Sequence, residues 1–462
     1  MNILFINIQL RKDSIRRQLP VGLAYVMTAA NKAGFDFDLI DMDIDNISMR
    51  SLKSRLQKKL YDIYAFGCIA TGYKQVKGIA KTIREIHPLA KIIAGNSVAS
   101  SMSDLLLETT EVDYAVVGEA DGTIVDLLRS LLFGSSKIEQ VKGIVIGNHK
   151  EGVPCRYKTL KRKPIDNLDS IGFPKWDLFD LKKYRRYSKK NVNSFAKDEI
   201  TSFPLNSARG CPYNCSFCYH VFKGQKYRRY SITAVVDEIK RLHSVYGCNY
   251  IAFWDELTFP NDLSAKNFIE EMEKLPFKIK WAATTRSGIF NSKSLSLLKR
   301  MKTVGCESIS FSLENADKRI LNQMNKSITV KGFKAQANVL HKAGIVPLTS
   351  IIFGYPSESK ETIKKTIEVC RQCNIYPSTG FLLPLPGTII YDWAKKYSYI
   401  DDEVEYLERI GDRQDFHINL TNMYSVEFVD IVREELTKLA DEQGVKVDNV
   451  FKTGTYKKPK DK

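Results

Sequence analysis

No stretch of this chain approaches the ~18 consecutive apolar residues that a membrane-crossing helix needs, so no membrane span is expected. The apolar opening Met1–Ile8 is too short for a secretory signal and lacks its basic flank. It reads as a buried strand, and the expectation is a cytoplasmic protein. Glycine (26) and proline (15) are too sparse for a collagen-like chain, and no fixed-period repeat appears beyond strand–helix alternation. No G-x-G-x-x-G follows the first strand signal, which argues against a dinucleotide site.

What remains is a large, basic, globular chain. Its 462 residues exceed one ordinary core at roughly 150 residues per domain. Hydrophobic residues at 44% against 27% charged ones exclude disorder. Lys and Arg number 70 against 53 Asp and Glu, a net +17 that suits an anionic partner or a lysine-rich surface. The basic runs Lys182–Lys190 and Lys457–Lys462 lack the spacing of a nucleic-acid module.

The pattern along the chain is α/β. Strand signals at Ile3–Ile8, Phe37–Asp41, Ile63–Cys68, Lys91–Ala94 and Tyr114–Val117 alternate with helical ones such as Gly22–Ala33 and Tyr73–His87. This predicts a doubly wound, Rossmann-like domain over residues 1–135. Ligands in such sheets sit beyond the carboxyl ends of the strands, here the loops at 67–72, 95–97 and 118–122. Residues 136–200 read as a linker. Six further strands (Phe203–Ala208, Tyr250–Trp254, Lys278–Thr284, Ser308–Ser312, Pro347–Phe353, Thr379–Leu383) with five intervening helices predict a partial (βα)6 barrel over 201–395. Thr233, Ser264 and Ser292 are candidate helix caps. Residues 396–462 read as a mostly helical region with a basic tail.

Nine cysteines without a secretory signal are expected to be thiols. Three of them, Cys211, Cys215 and Cys218, fall within eight residues just after the first barrel strand. Three thiolates in one loop suit an iron–sulfur cluster or zinc. Ligation of three irons of a [4Fe–4S] cube leaves the fourth iron open, whereas four cysteines would close it. Two other readings stand beside this one. Zinc completed by His220 is one, although zinc motifs usually come as separated pairs. Core packing is the other, although Pro, Asn and Ser between the cysteines suit a core poorly. Cys370 and Cys373, one helical turn apart, read as buried core thiols rather than as ligands of an auxiliary cluster with Cys306 or Cys248.

The spacing C-x3-C-x2-C, with Phe217 before the third cysteine, resembles the signature of the radical S-adenosylmethionine superfamily. The resemblance continues through Phe253–Glu256, Trp281–Arg286, Gly305–Glu314, Phe353–Pro356 and Pro384–Thr388, in the order that the family shows. The first domain is similar to the cobalamin-binding domain that precedes the barrel in one subfamily, best at Leu19–Tyr25 and Val117–Asp121. The resemblance implies a [4Fe–4S] cluster on Cys211, Cys215 and Cys218, and reductive cleavage of S-adenosylmethionine to a 5′-deoxyadenosyl radical. It implies S-adenosylmethionine contacts from Asp255 and Glu256 (ammonium), Arg286 (carboxylate), Ser312 and Glu314 (ribose or methionine) and Gly354 (adenine), with Tyr213, Phe217 and Tyr219 stacking on adenine or shielding the radical.

It also implies cobalamin, cradled by Gly67, Thr71, Gly72, Gly95, Asn96, Ser97, Gly118 and Glu119. No histidine stands in a D-x-H-x-x-G motif, so a histidine ligand to cobalt is not expected from that signature. The implied activity is cobalamin-dependent methyl transfer to an unactivated carbon or phosphorus. The alternatives are a radical dehydratase, isomerase, cyclase or carbon–carbon bond-forming enzyme and, in another class, a zinc-containing nucleic-acid-binding protein. Expected partners are a small-molecule substrate, leaning anionic, and an electron donor such as flavodoxin or ferredoxin. Nucleic acid is not expected, since no small β-barrel signal follows residue 395.

Overall fold

A computed structural model describes residues 2–12, 14–148, 155–192, 199–411, 414–446 and 450–451. Five parallel strands form the first sheet: β1 (Ile3–Asn7), β2 (Asp38–Asp41), β3 (Ile63–Gly67), β4 (Lys91–Gly95) and β5 (Tyr114–Val116). Alternate side chains of these strands feed two cores. Phe5 and Ala65 enter one face, Leu4, Ile6, Tyr64 and Phe66 the other, as a doubly wound sheet requires.

The stretch read as a linker is more than that. Two of its segments join the sheet: β6 (Ile144–Asn148) pairs antiparallel with β5, and β7 (Cys155–Lys158) pairs antiparallel with β6, completing a seven-stranded sheet in the order β2-β1-β3-β4-β5-β6-β7. Further on, Leu168, Trp176, Phe179 and Tyr184 are buried between the two domains. Their apolar positions are too irregularly spaced to carry a helix or strand period, so only contact with both neighbours reveals them as core.

Strand β8 (Ser202–Leu205) starts the second sheet. After it a short antiparallel ribbon, β9 (Ala208–Arg209) with β10 (Arg228–Arg229), brackets the cysteine loop. Then come β11 (Tyr250–Phe253), β12 (Lys280–Thr284), β13 (Cys306–Ser310) and β14 (Val346–Leu348), which pair in parallel in the order β14-β13-β12-β11-β8. The expected single strand Pro347–Phe353 is two. Its second half, β15 (Ser350–Phe353), leaves to pair with β16 (Ser378–Phe381). Pro347 brings no backbone donor, and edge strands are where sheets tolerate proline. Thr349 Oγ1 fills the seam, donating to the Phe311 carbonyl and accepting from the Leu313 amide. A bridge from Glu314 to Ile351 carries the barrel across the break.

The expected caps lie too late in each helix. Ser231, Asn261 and Asn291 accept the first free amides instead, because each helix or turn begins one to three residues before the start read from the sequence. In the C-terminal region, the helix Ser425–Gln443 packs Phe428 on Phe381, and the helix Glu403–Arg409 sends Glu408 to Lys77 of the first domain at 2.6 Å. The basic run Lys457–Lys462 lies outside the described residues. Among the described residues, no helix is long and apolar enough to cross a membrane.

Candidate functional site

The cysteine loop is held at almost every turn. Before it, Asp255 at the end of β11 is buried and accepts from the Ser207 amide (2.7 Å), the Ser207 hydroxyl (2.7 Å) and the Ala208 amide (3.0 Å). That occupies the carboxylate expected to meet an ammonium group and makes it the anchor of the loop's base. Within the loop, Ser216 donates its amide to Met324 and its hydroxyl to Gln323, and shares a hydrogen bond with Tyr355. Asn325 donates to the Asn214 carbonyl, and Lys223 to the Cys218 carbonyl. Nothing in the motif identifies the clamps on Ser216 and Asn214, because they come from residues more than a hundred positions away.

Cys215 is buried, Cys211 half-buried and Cys218 exposed. Burial pushes the Cys211 thiol up, and the neighbouring Cys215 adds to this. Crowding by surrounding atoms, then Cys215 and Cys211, pushes Cys218 up to about 12, although its residue still presents surface to solvent. Cys211 and Cys218, whose ionisation is disfavoured by burial first and by neighbouring thiols second, fit a cationic cluster, whose iron charge offsets that penalty. No three Cys, His, Asp or Glu side chains among the described residues converge on one metal ion. His220 has a buried Nδ1 without a hydrogen-bond partner, and burial lowers its pKa to about 4.

Four charged groups face this loop. Glu256 is half-buried, and burial followed by the Asp255 charge raises its carboxyl to about 7. Arg286, at the end of β12, is buried with its guanidinium 3.5 Å from the Tyr213 ring centroid, and its Nε and Nη2 have no acceptor. Buried guanidinium donors without partners are costly, so this group is poised for an anion. Glu314 is buried at φ +60° and accepts from Lys326 at 2.9 Å, and its Oε2 lacks a partner. Lys326 also stands 5.9 Å above the Phe217 ring.

Two expected contacts are otherwise employed. Ser312 shares a hydrogen bond with Ser350 at 2.8 Å. Gly354 adopts φ +113° with Leu382 and Phe428 against it, so its freedom serves backbone geometry and packing. Tyr219 packs on Gly387, where a Cβ would lie 2.7 Å from the ring. Cys248, Cys306, Cys370 and Cys373 are buried in the core, as expected.

At the other domain's sheet end, Gly67 and Gly95 pair side by side where β3 and β4 finish, and Gly118 follows β5 at φ +79°. A Cβ on Gly95 would meet only the Phe66 carbonyl, at 4.0 Å, so a ligand can approach the backbone closely there, while Gly67 lies against Asn96. Asn96 lies exposed beside it in the left-handed region (φ +67°). Other expected cobalamin contacts turn inward. A Cβ on Gly72 would sit 1.9 Å from the Cys68 sulfur, so this glycine serves packing. Thr71 lies in the same short 3-10 turn, and Ser97 accepts the Ala70 amide at 2.8 Å to hold that turn.

Glu119 is also buried. It accepts the Ile165 amide at 2.7 Å, and Arg228 Nη2 stands 2.8 Å from its Oε1 as an ion pair without hydrogen-bond geometry. Beside it, Asp121 takes a bidentate pair from Arg209 (2.8 and 3.0 Å). Arg209 lies two residues before Cys211, so the two sites share one interface. Charge type alone did not single out Asp121, Arg209 or Arg228.

Comparison with known proteins agrees with this architecture. Residues 17–128 match the B12 binding domain, and residues 205–370 match the Radical SAM superfamily. An uncharacterized methyltransferase of Pyrococcus horikoshii is 27% identical over 396 residues, covering 83% of this chain and 82% of that protein. An anaerobic magnesium-protoporphyrin IX monomethyl ester cyclase of Cereibacter sphaeroides is 31% identical over 355 residues, covering 75% and 55%. The solved structure of the radical S-adenosylmethionine methyltransferase TsrM from Kitasatospora setae superposes with a TM-score of 0.67 at 17% identity, over 86% of this chain and 76% of that one. At that identity the likeness is one of fold.

Proposed function

This chain is a radical S-adenosylmethionine enzyme with an N-terminal B12-binding domain, its cofactors being S-adenosylmethionine, a [4Fe–4S] cluster and cobalamin, and on that premise we propose that it transfers a methyl group to an unactivated carbon or phosphorus of a small anionic molecule. The observation that carries the reading is the shared interface. The chain leading into the three cysteines and the loop that follows β5 meet at Arg209 and Asp121, and this contact supports reading the cysteine loop and the strand-end glycines as two halves of one site. When bound, the cluster supplies the electron that opens S-adenosylmethionine, and cobalamin supplies a methyl carrier.

The chain's own residues do the rest. Cys211, Cys215 and Cys218 would hold the cluster by three of its irons, leaving one for a chelating ligand. Glu256 accepts the ammonium of S-adenosylmethionine, and Arg286, already stacked on Tyr213, takes its carboxylate. Glu314 presents its unpaired oxygen to the same ligand, and Tyr213, Phe217 and Tyr219 keep water away from the radical. Gly67, Gly95, Asn96 and Gly118 rim the cobalamin. The net +17 supports an anionic substrate, and a reduced flavodoxin or ferredoxin would supply electrons.

A second reading has a specific observation behind it. The relative from Cereibacter sphaeroides is a cyclase, which favours radical ring closure without methyl transfer. Anaerobic turnover of the reconstituted enzyme, scored for 5′-deoxyadenosine and S-adenosylhomocysteine together, separates the two. Both products support methyl transfer; 5′-deoxyadenosine alone from cobalamin-replete enzyme refutes it.

A further inference from the structure

The two first-domain motifs, Leu19–Tyr25 and Val117–Asp121, converge on one barrel residue. Arg209 donates both terminal nitrogens to Asp121, lies 3.5 Å from Glu119, and is held between the rings of Tyr25 (4.9 Å) and Phe222 (5.6 Å). Across the β9–β10 ribbon its register partner is Arg228, which reaches Glu119 at 2.8 Å and donates to the Ile165 carbonyl. All four charged residues are at most 9% exposed, and their charges cancel. Arg209 is one glycine away from Cys211, and Glu119 directly follows Gly118 of the cobalamin rim.

Buried ion pairs add little net stability compared with apolar residues of the same volume. What the planar, bidentate pair adds is direction. An apolar contact slides at little cost, whereas a guanidinium–carboxylate fork fixes both distance and angle. The two domains already share continuous apolar cores, so adhesion does not require the pair.

We propose that Arg209 is a positioning residue which, with Asp121 and the Glu119–Arg228 pair, sets the distance and orientation of the cobalamin rim relative to the cluster loop. This rests on the reading that both cofactors serve one reaction. The test uses holoenzyme reduced to the paramagnetic cluster and cob(II)alamin, with their separation read by pulsed dipolar electron paramagnetic resonance. Wild type should give one narrow distance distribution. Asp121→Asn and Arg209→Lys should keep full iron and cobalamin content yet broaden or shift that distribution, and lower the ratio of S-adenosylhomocysteine to 5′-deoxyadenosine by roughly a hundredfold, as small misplacements do.

Arg209→Lys keeps the charge and loses the fork, so wild-type behaviour in that variant would overturn the proposal. An unchanged distribution in Asp121→Asn would overturn it too. If either variant fails to hold both cofactors, Arg228→Gln, which leaves the Arg209–Asp121 fork in place while removing the Glu119 ion pair and the Arg228 bonds to Ile165 and Gln225, decides by the same readout. Absence of S-adenosylhomocysteine from wild type would defeat the methyl-transfer reading alone, since the distance is measured without turnover.

Discussion

Replacing Arg286 by Gln separates a ligand-binding arginine from a structural one. Two of its donors are buried without acceptors, and each unmade hydrogen bond costs about 1–3 kcal/mol. Stacking on Tyr213 returns about 2 kcal/mol when desolvated. Two unmade bonds together cost about 2–6 kcal/mol, as much as or more than the stacking returns, so Arg286→Gln should leave the cofactor-free protein as stable as wild type or up to about 4 kcal/mol more stable. A carboxylate placed on those donors gains about 3 kcal/mol from charge-assisted bonds, or roughly a hundredfold in Kd. Urea unfolding of the cofactor-free protein and anaerobic calorimetry of the reconstituted protein with S-adenosylmethionine measure the two quantities. A variant destabilised by more than about 3 kcal/mol with unchanged affinity would refute the reasoning, since that is what a structural ion-pair arginine gives.

Glu256, with its carboxyl at about 7, must be ionised to hold an ammonium group. S-adenosylmethionine affinity should therefore fall below pH 7, approaching tenfold per unit, and Glu256→Gln should flatten that slope in a binding titration. Because this pKa is raised on folding, its contribution to stability has the opposite sense: present at low pH and lost as pH rises through about 7. Asp255→Asn keeps an acceptor for the Ser207 and Ala208 amides and should retain iron. Asp255→Ala leaves three donors unpaired and should cost about 3–5 kcal/mol in urea unfolding and lose the cluster. Replacing Cys211, Cys215 and Cys218 together by Ala should abolish iron content and the brown absorbance after anaerobic reconstitution; retention of either contradicts the cluster assignment.

The elements and the metal chemistry were legible because their signals are local. Runs such as Ile63–Cys68 alternate between two buried faces, and three cysteines in eight residues need no tertiary contact to declare a soft-metal loop. The cobalamin rim was legible only in part. A Cβ would meet nothing nearer than 3.9 Å at Gly95 or Gly118, whereas Gly67 lies against Asn96, Gly72 packs on Cys68 and Ser97 ties down a turn. A glycine or serine in a loop reads alike whether it faces a ligand or its own core.

Charge pairing was the least legible. Asp255 was expected at the ligand but anchors the chain that leads into the cysteines, and Glu119 was expected at cobalamin but meets Arg228. By itself, then, the sequence determined the order of strands and helices, the cysteine loop and the class of chemistry, since each follows from spacing within a few turns of chain. Only the tertiary structure decided which carboxylates are consumed by neighbours and which stay free, and that Asp121 closes on Arg209 across 88 positions of sequence. A carboxylate's role depends on what burial leaves within about 3 Å of it, a distance that sequence separation does not encode.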